Sequence, residues 1–368
     1  MINMKKITTI LLLGAIVFGT SCKKYLDINE NPNDPTSASA EVVLPAAITG
    51  TAFTLNSYNS YGAQLGGYMA NAGGYGGFGS NVTYQFGTND YSGLWSGTYD
   101  NLEDYQVVLN YTDGDLDYNY FNAAARIMKA YNFQLLVDAY NDVPYFDALK
   151  GLDNLTPKYD DAKTIYADLA AQLDQAIADI NAAMEDQDTN PTSNVKDLSA
   201  ATDPMFKGDM VKWKQFASTV KLRLILRAHG LVDFANTTFD ADGFLTTDAK
   251  INPGFTKDNG KQNPSYNTWV YRYDGSAANR AWIPTKYIMG FYDEHHILDQ
   301  GRGYASYYNF PSTPVNQLGF ESNSVPKAPS TGAWKSDYGA LGILKGPAMG
   351  QVAMLAAESY FLQAEAAM

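Results

Sequence analysis

Few residues in this 368-residue chain are spaced for catalysis. His295 and His296 follow Asp293 and Glu294, but adjacent residues leave a helix in different directions, so one metal site would not take both imidazoles. Gly74-Tyr75-Gly76-Gly77-Phe78-Gly79 fits the G-x-G-x-x-G pattern of a dinucleotide-binding turn. No strand is expected before it and no helix after it, so it reads as a flexible glycine-rich turn. Asp113, Asp115 and Asp117 have the one-three-five spacing of a calcium loop, a weak signal here. The sixth position lacks Gly, and Ala124 stands where the bidentate Glu belongs. The alternative is a helix–helix loop with Asp117 or Asn119 as cap. G-x-S-x-G, H-E-x-x-H and Walker patterns do not occur, no acid pair is marked for glycoside hydrolysis, and no cofactor is expected. The reading is a protein without catalysis.

The remaining chemistry is aromatic. A pyranose offers an apolar C–H face to Tyr or Trp, which supply large contact area with little rotamer freedom to lose, while Asn, Asp, Gln and Arg satisfy the hydroxyls. Trp269, Tyr271, Tyr273, Trp282 and Trp334 fall in Pro- and Gly-rich stretches, and Tyr75 and Phe78 in the glycine-rich turn. These seven are the expected ligand contacts. Trp95, Tyr99, Tyr105 and Trp213 recur at helical spacing and are expected to pack helices together.

The elements that must hold these residues are helical first and irregular later. Apolar residues repeat at three- and four-residue steps from Glu41, from Tyr91 to Asn110, from Asn119 to Tyr140, and after an Asp160 or Asp161 cap as far as Met184. Tyr61, Tyr68 and Tyr75 are spaced as heptad positions that could prolong the first helix. A further helix follows Lys207-Gly208-Asp209, with Trp213, Phe216, Val220 and Leu224 inward and Lys212, Lys214, Lys221, Arg223 and Arg227 as a basic outer face. Paired helices of this kind suggest an all-α fold of tetratricopeptide-like hairpins. From residue 231 to 346, repeated prolines forbid long helices except a short one near Pro284–Glu294. These long irregular insertions are expected to form the ligand face. Residues 350–368 read as a last helix whose apolar stripe has no following partner, as in a chain truncated C-terminally. The body, 41–368, is expected to form one domain.

The N-terminus reads as an address. Lys5-Lys6, the apolar run Ile10–Phe18 and the small residues Gly19-Thr20-Ser21 make residues 1–21 a signal peptide too short to span a bilayer. Cys22, the only cysteine, stands directly after it, where a bacterial lipoprotein would be acylated; residues 22–40 then form a polar tether. The alternative is a soluble periplasmic or secreted protein with a free thiol. One cysteine excludes a disulfide framework. With 39 Asp+Glu against 26 Lys+Arg, a net charge of −13, the chain is no partner for nucleic acid. At 45% hydrophobic and 18% charged residues, with 27 Tyr, it is not a disordered chain either.

Several segments, in order, resemble the SusD/RagB family of surface nutrient-binding lipoproteins. Cys22-Lys23-Lys24-Tyr25-Leu26-Asp27 is similar to the family's mature start, and Asp138-Ala139-Tyr140-Asn141-Asp142-Val143-Pro144-Tyr145 to its "DxYGDVPY" segment, with Asn141 in place of Gly. Gly208-Asp209 with Lys212-Trp213-Lys214-Gln215-Phe216-Ala217-Ser218 resembles "GDxxKWxxFANS", and Ala357–Ala366 resembles the last recognisable helix. The resemblance implies a lipid anchor at the outer membrane facing the cell exterior. It also implies an oligosaccharide or, in some branches, a peptide ligand, and a SusC-like TonB-dependent transporter as partner. A helical-repeat adaptor without a small ligand is the reading from another class.

Overall fold

The computed structural model describes residues 38–335 and 344–368. The signal peptide, Cys22 and the tether up to residue 37 lie outside the described residues. The body runs from Ala40 to Met368.

Helix α1 (Ala40–Leu65) buries Ala40, Leu44, Ala47, Ile48, Ala52 and Leu55, the three- and four-residue steps of one helix face. It stops at Gly66-Gly67, where Gly67 takes a positive φ of 74°. Tyr68 and Tyr75 are therefore not on this helix, and the heptad spacing of the tyrosines does not prolong it. Helix α2 (Ser80–Thr83) is a single turn, followed by α3 (Ser92–Thr112) and α4 (Asn119–Tyr140). Helix α5 (Ala162–Thr189) starts at Asp161, whose carboxylate accepts from the Lys163 and Thr164 amides. Helix α6 (Met210–Arg227) starts in the same way at Asp209, which accepts from the Lys212 amide.

Helix α1 packs on α3, α3 on α4, α4 on α5, and α5 on α6, the serial antiparallel packing of tetratricopeptide-like hairpins. Helix α4 is apolar on nearly every side because it also touches α1 and α6. Where α1, α3 and α4 meet, Thr51 shares a 2.7 Å hydrogen bond with the Tyr105 hydroxyl and accepts from the Asn132 amide at 3.0 Å.

The expected basic outer face of α6 is instead largely buried, because residues 231–245 and the last helix close over it. Lys214 is 6% exposed and pairs with Asp240 and Asp242. Lys221, fully buried, bonds both Asp174 oxygens at 2.7 and 2.9 Å and the Thr238 carbonyl at 2.9 Å. Arg223, 5% exposed, bonds Gln134 and Glu358. Charged side chains at such positions are retained when each has a partner.

The irregular region contains short elements: β1 (Met69–Asn71), β2 (Ala249–Ile251), α7 (Pro264–Trp269), β3 (Trp282–Pro284), α8 (Lys286–Met289) and α9 (Gln300–Ser306). Strand β1 pairs antiparallel with β3, Asn71 opposite Trp282. The tail departs from the single helix expected over 350–368. Gln351–Met354 forms β4, antiparallel to β2, before α10 (Ala356–Ala366) packs on α6. Among the described residues two hydrophobic cores result: one inside the helix array, and a smaller one built by the loops around Tyr266, Trp269, Trp282, Tyr307, Phe310 and Trp334.

Candidate functional site

The glycine-rich turn is placed by backbone contacts. Below it, the β1–β3 ladder continues through a hydrogen bond from the Ala72 amide to the Ala281 carbonyl at 2.7 Å. The Gly73 amide then donates to the Pro326 carbonyl at 2.8 Å, and a Cβ on Gly73 would strike the Val325 carbonyl, so no other residue fits there. The buried Asn316 amide donates to the Asn71 carbonyl at 2.9 Å and the Phe320 carbonyl at 3.0 Å, tying β1 to the 316–327 loop.

Between turn and loop lies an open cleft of about 640 Å³. Its walls carry Asn71, Tyr75, Glu321, Ser322, Asn323 and Lys327. Tyr75 is 48% exposed and offers its ring to solvent. One aromatic face ringed by amide, hydroxyl, carboxylate and ammonium groups is the chemistry that a polyhydroxylated ring requires.

Among the seven aromatics expected from sequence, Tyr75 alone lines this cleft. Trp269, Trp282 and Trp334 are buried in the loop core, 7%, 8% and 7% exposed, which corrects the expectation that loop tryptophans present free faces. The reason is that an excursion this long has to bury apolar area of its own. Trp269 packs against Trp334 at 5.3 Å between ring centroids, and Phe78 stands edge-on to Trp282 at 4.8 Å. Tyr271 packs partly buried against the same core, its hydroxyl 3.4 Å from that of Tyr308. Tyr273 is half exposed on a separate turn between Tyr271 and Ala277. Asn71, Glu321, Ser322, Asn323 and Lys327 have no mark in the sequence beyond lying near turn residues. Trp213 and Tyr105 are fully buried, with Trp95 and Tyr99 packed on the helical core.

The other sequence patterns do not make sites. The Asp115 carboxylate caps a single 3-10 turn by accepting from the Asp117 amide, and no group of three His, Cys, Asp or Glu side chains among the described residues is arranged to hold a metal. The G-x-G-x-x-G segment does lie between a strand and a helical turn, contrary to expectation. However, β1 has only three residues and pairs antiparallel, so no βαβ unit forms. The Asp293 carboxylate accepts a hydrogen bond from the His295 ring nitrogen Nδ1 at 2.8 Å on the surface. Among the described residues no helix is long and apolar enough to cross a membrane.

Solved structures share this fold. The chain is similar to a chitin-binding SusD homolog from Flavobacterium johnsoniae, with a TM-score of 0.59 and 20% identity over 88% of this chain and 65% of that one. It is similar to a SusD/RagB family protein from Bacteroides thetaiotaomicron, with a TM-score of 0.64 and 19% identity over 90% and 67%. A SusD homolog from Bacteroides uniformis gives 0.60 and 21% over 88% and 66%. The chain thus spans about two thirds of the length of these relatives, slightly less for the first. No curated protein matches it. Residues 32–245, more than half of the chain, match the family model SusD-like_2, described as "Starch-binding associating with outer membrane". With the family matched in sequence and the helical-hairpin fold shared with SusD homologs, this chain belongs to the SusD-like family.

Proposed function

We propose that the protein is a cell-surface nutrient-binding lipoprotein that captures an oligosaccharide in the Tyr75 cleft without chemical change. The observation that carries the reading is the half-exposed Tyr75 ring beside Asn71, Glu321, Asn323 and Lys327 in an open cleft. The ring would stack on a sugar face, and the polar side chains would fix its register. Cys22 would carry the lipid anchor at the outer membrane, facing outward. A SusC-like TonB-dependent barrel would receive the ligand after a lid motion. The name of the Flavobacterium johnsoniae homolog makes chitin oligosaccharides the first glycans to try.

Calorimetric titration against a glycan panel and a peptide mixture tests this. At least one glycan is expected to bind, and Tyr75→Ala should weaken it about tenfold, corresponding to roughly 1.4 kcal/mol. Peptide binding with no glycan binding would replace the proposal with a peptide-binding relative. Binding of neither would leave the adaptor reading.

A further inference from the structure

A second recess lies where α1 ends. Residues 58–99 hold seven tyrosines and one charged side chain, Asp90. The fold gathers part of this set into a pocket of about 120 Å³ lined by Tyr61, Leu65, Phe86, Asp90, Tyr91 and Tyr140. Tyr61 and Tyr91 meet edge-to-face at 4.7 Å, and Phe86 leans over Tyr91 at 6.0 Å and 46°. The rings are fixed by their hydroxyls or by neighbours. Tyr140 donates to the Tyr91 carbonyl at 2.9 Å, and Tyr91 donates to Asn81. Phe86, 47% exposed, forms the open wall.

Asp90 supplies the charge. One oxygen accepts from the Gly87 amide at 2.7 Å and the other from the Ser80 hydroxyl at 2.8 Å, which leaves lone pairs on both. These two donors hold the carboxyl below the usual carboxylate range, the Gly87 amide most strongly. No Lys or Arg occurs anywhere in residues 58–99 to neutralise it locally. Aromatic rings attract cations through their negative faces, and a carboxylate beside them adds a directed charge. A net charge of −13 raises the concentration of cations near the surface.

We propose that this recess is an aromatic cage for a small organic ammonium group. The volume suits one alkylammonium headgroup, and the pocket offers no second charged side chain for a zwitterion. The proposal does not rest on the glycan reading. Tyr75→Ala should leave ammonium binding intact, and Phe86→Leu should leave glycan binding intact.

The test titrates the protein with choline and with 3,3-dimethylbutan-1-ol, which puts carbon in place of the quaternary nitrogen, at constant ionic strength. Saturation-transfer NMR of the methyl protons gives the readout. Glucosamine against glucose, read on the ring protons in the Tyr75→Ala variant so that the glycan cleft contributes least, repeats the comparison for an amino sugar, and the tighter charged probe names the source. Saturable binding is expected only for the charged member of a pair. Asp90→Asn and Phe86→Leu should each weaken it roughly fivefold. If Asp90→Asn disturbs the turn, Phe86→Leu still decides, because Phe86 is half exposed and the change keeps apolar bulk. Equal binding of charged and neutral members, or no saturable response to either cation, overturns the proposal.

Discussion

Tyr75 and Trp282 sit near one another in the fold and differ in what surrounds their rings. Tyr75 projects from a turn whose glycines leave room on either side, whereas Trp282 lies on β3 with Phe78 against its edge and Ile283 buried next to it. Truncating Tyr75 removes a solvated face, so Tyr75→Ala should leave the unfolding free energy from urea denaturation within about 0.5 kcal/mol of the parent. Truncating Trp282 opens a hole in the smaller core, and Trp282→Ala should cost about 3–5 kcal/mol on the same measurement. Equal effects of the two would contradict the division into exposed platform and core. Residue type in the sequence could not make this distinction. Proline and glycine marked 231–346 as irregular, but an irregular backbone is not an exposed one, and the tryptophans there make the apolar interior that keeps the insertions ordered. Tyr75 is exposed, yet Phe78 from the same glycine-rich turn packs on Trp282, so the glycines alone do not mark which ring stays outside.

At the scale of elements, α6 shows how a charge pattern can mislead. Lys212, Lys214, Lys221, Arg223 and Arg227 recur as a solvated face would, yet α5, α10 and the 231–245 segment cover three of them. The acids that pair with them, Asp174, Asp240, Asp242 and Glu358, are spread over 185 positions of sequence, from Asp174 to Glu358, so local periodicity holds no sign of the pairing. The buried Lys221 makes an asymmetric prediction. Asp174→Ala leaves an ammonium in the interior with the Thr238 carbonyl as its remaining bonded acceptor and should cost about 3–5 kcal/mol. Lys221→Met removes the buried charge itself and leaves an aspartate that reaches water, so it should cost far less. Chemical denaturation of both variants checks the order, and a costlier Lys221→Met would refute it. Where the signal was local, the reading agreed with the structure: α4 spans Asn119–Tyr140, Asp161, one of the two expected candidates, caps α5, and α6 follows directly on Lys207-Gly208-Asp209. Strand β4 was missed because its partner, Ala249–Ile251, lies a hundred residues earlier, and four residues before a helix look like its first turn.

Over the whole molecule, helix packing through tyrosine sets the response to alkali. Burial pushes the hydroxyls of Tyr58, Tyr99, Tyr105, Tyr145 and Tyr307 well above the ordinary phenol range. Burial likewise raises Tyr131 and Tyr166 to about 12. A phenol whose pKa is raised by folding stabilises the native state below its unfolded value of about 10, and that contribution is lost as pH climbs toward the native value. Lys129 acts in the opposite sense. Desolvation first, and the Arg126 charge next, lower it to about 8, although it donates to Gln106 at 2.6 Å. An unfolded lysine stays protonated to about pH 10.4, so between these values the unfolded chain binds more protons and the native state gains up to about 3 kcal/mol as pH rises. Stability should therefore rise from about pH 8 toward 10 and then fall steeply as many phenols ionise on unfolding. Urea midpoints measured from pH 7 to 11 would show this maximum. Lys129→Met should remove the rising limb and keep the fall, because the lysine and the phenols act independently. A steady decline from pH 7 in the parent protein would mean that Lys129 is solvated and that the α4 surface around Arg126 is more open than its packing indicates.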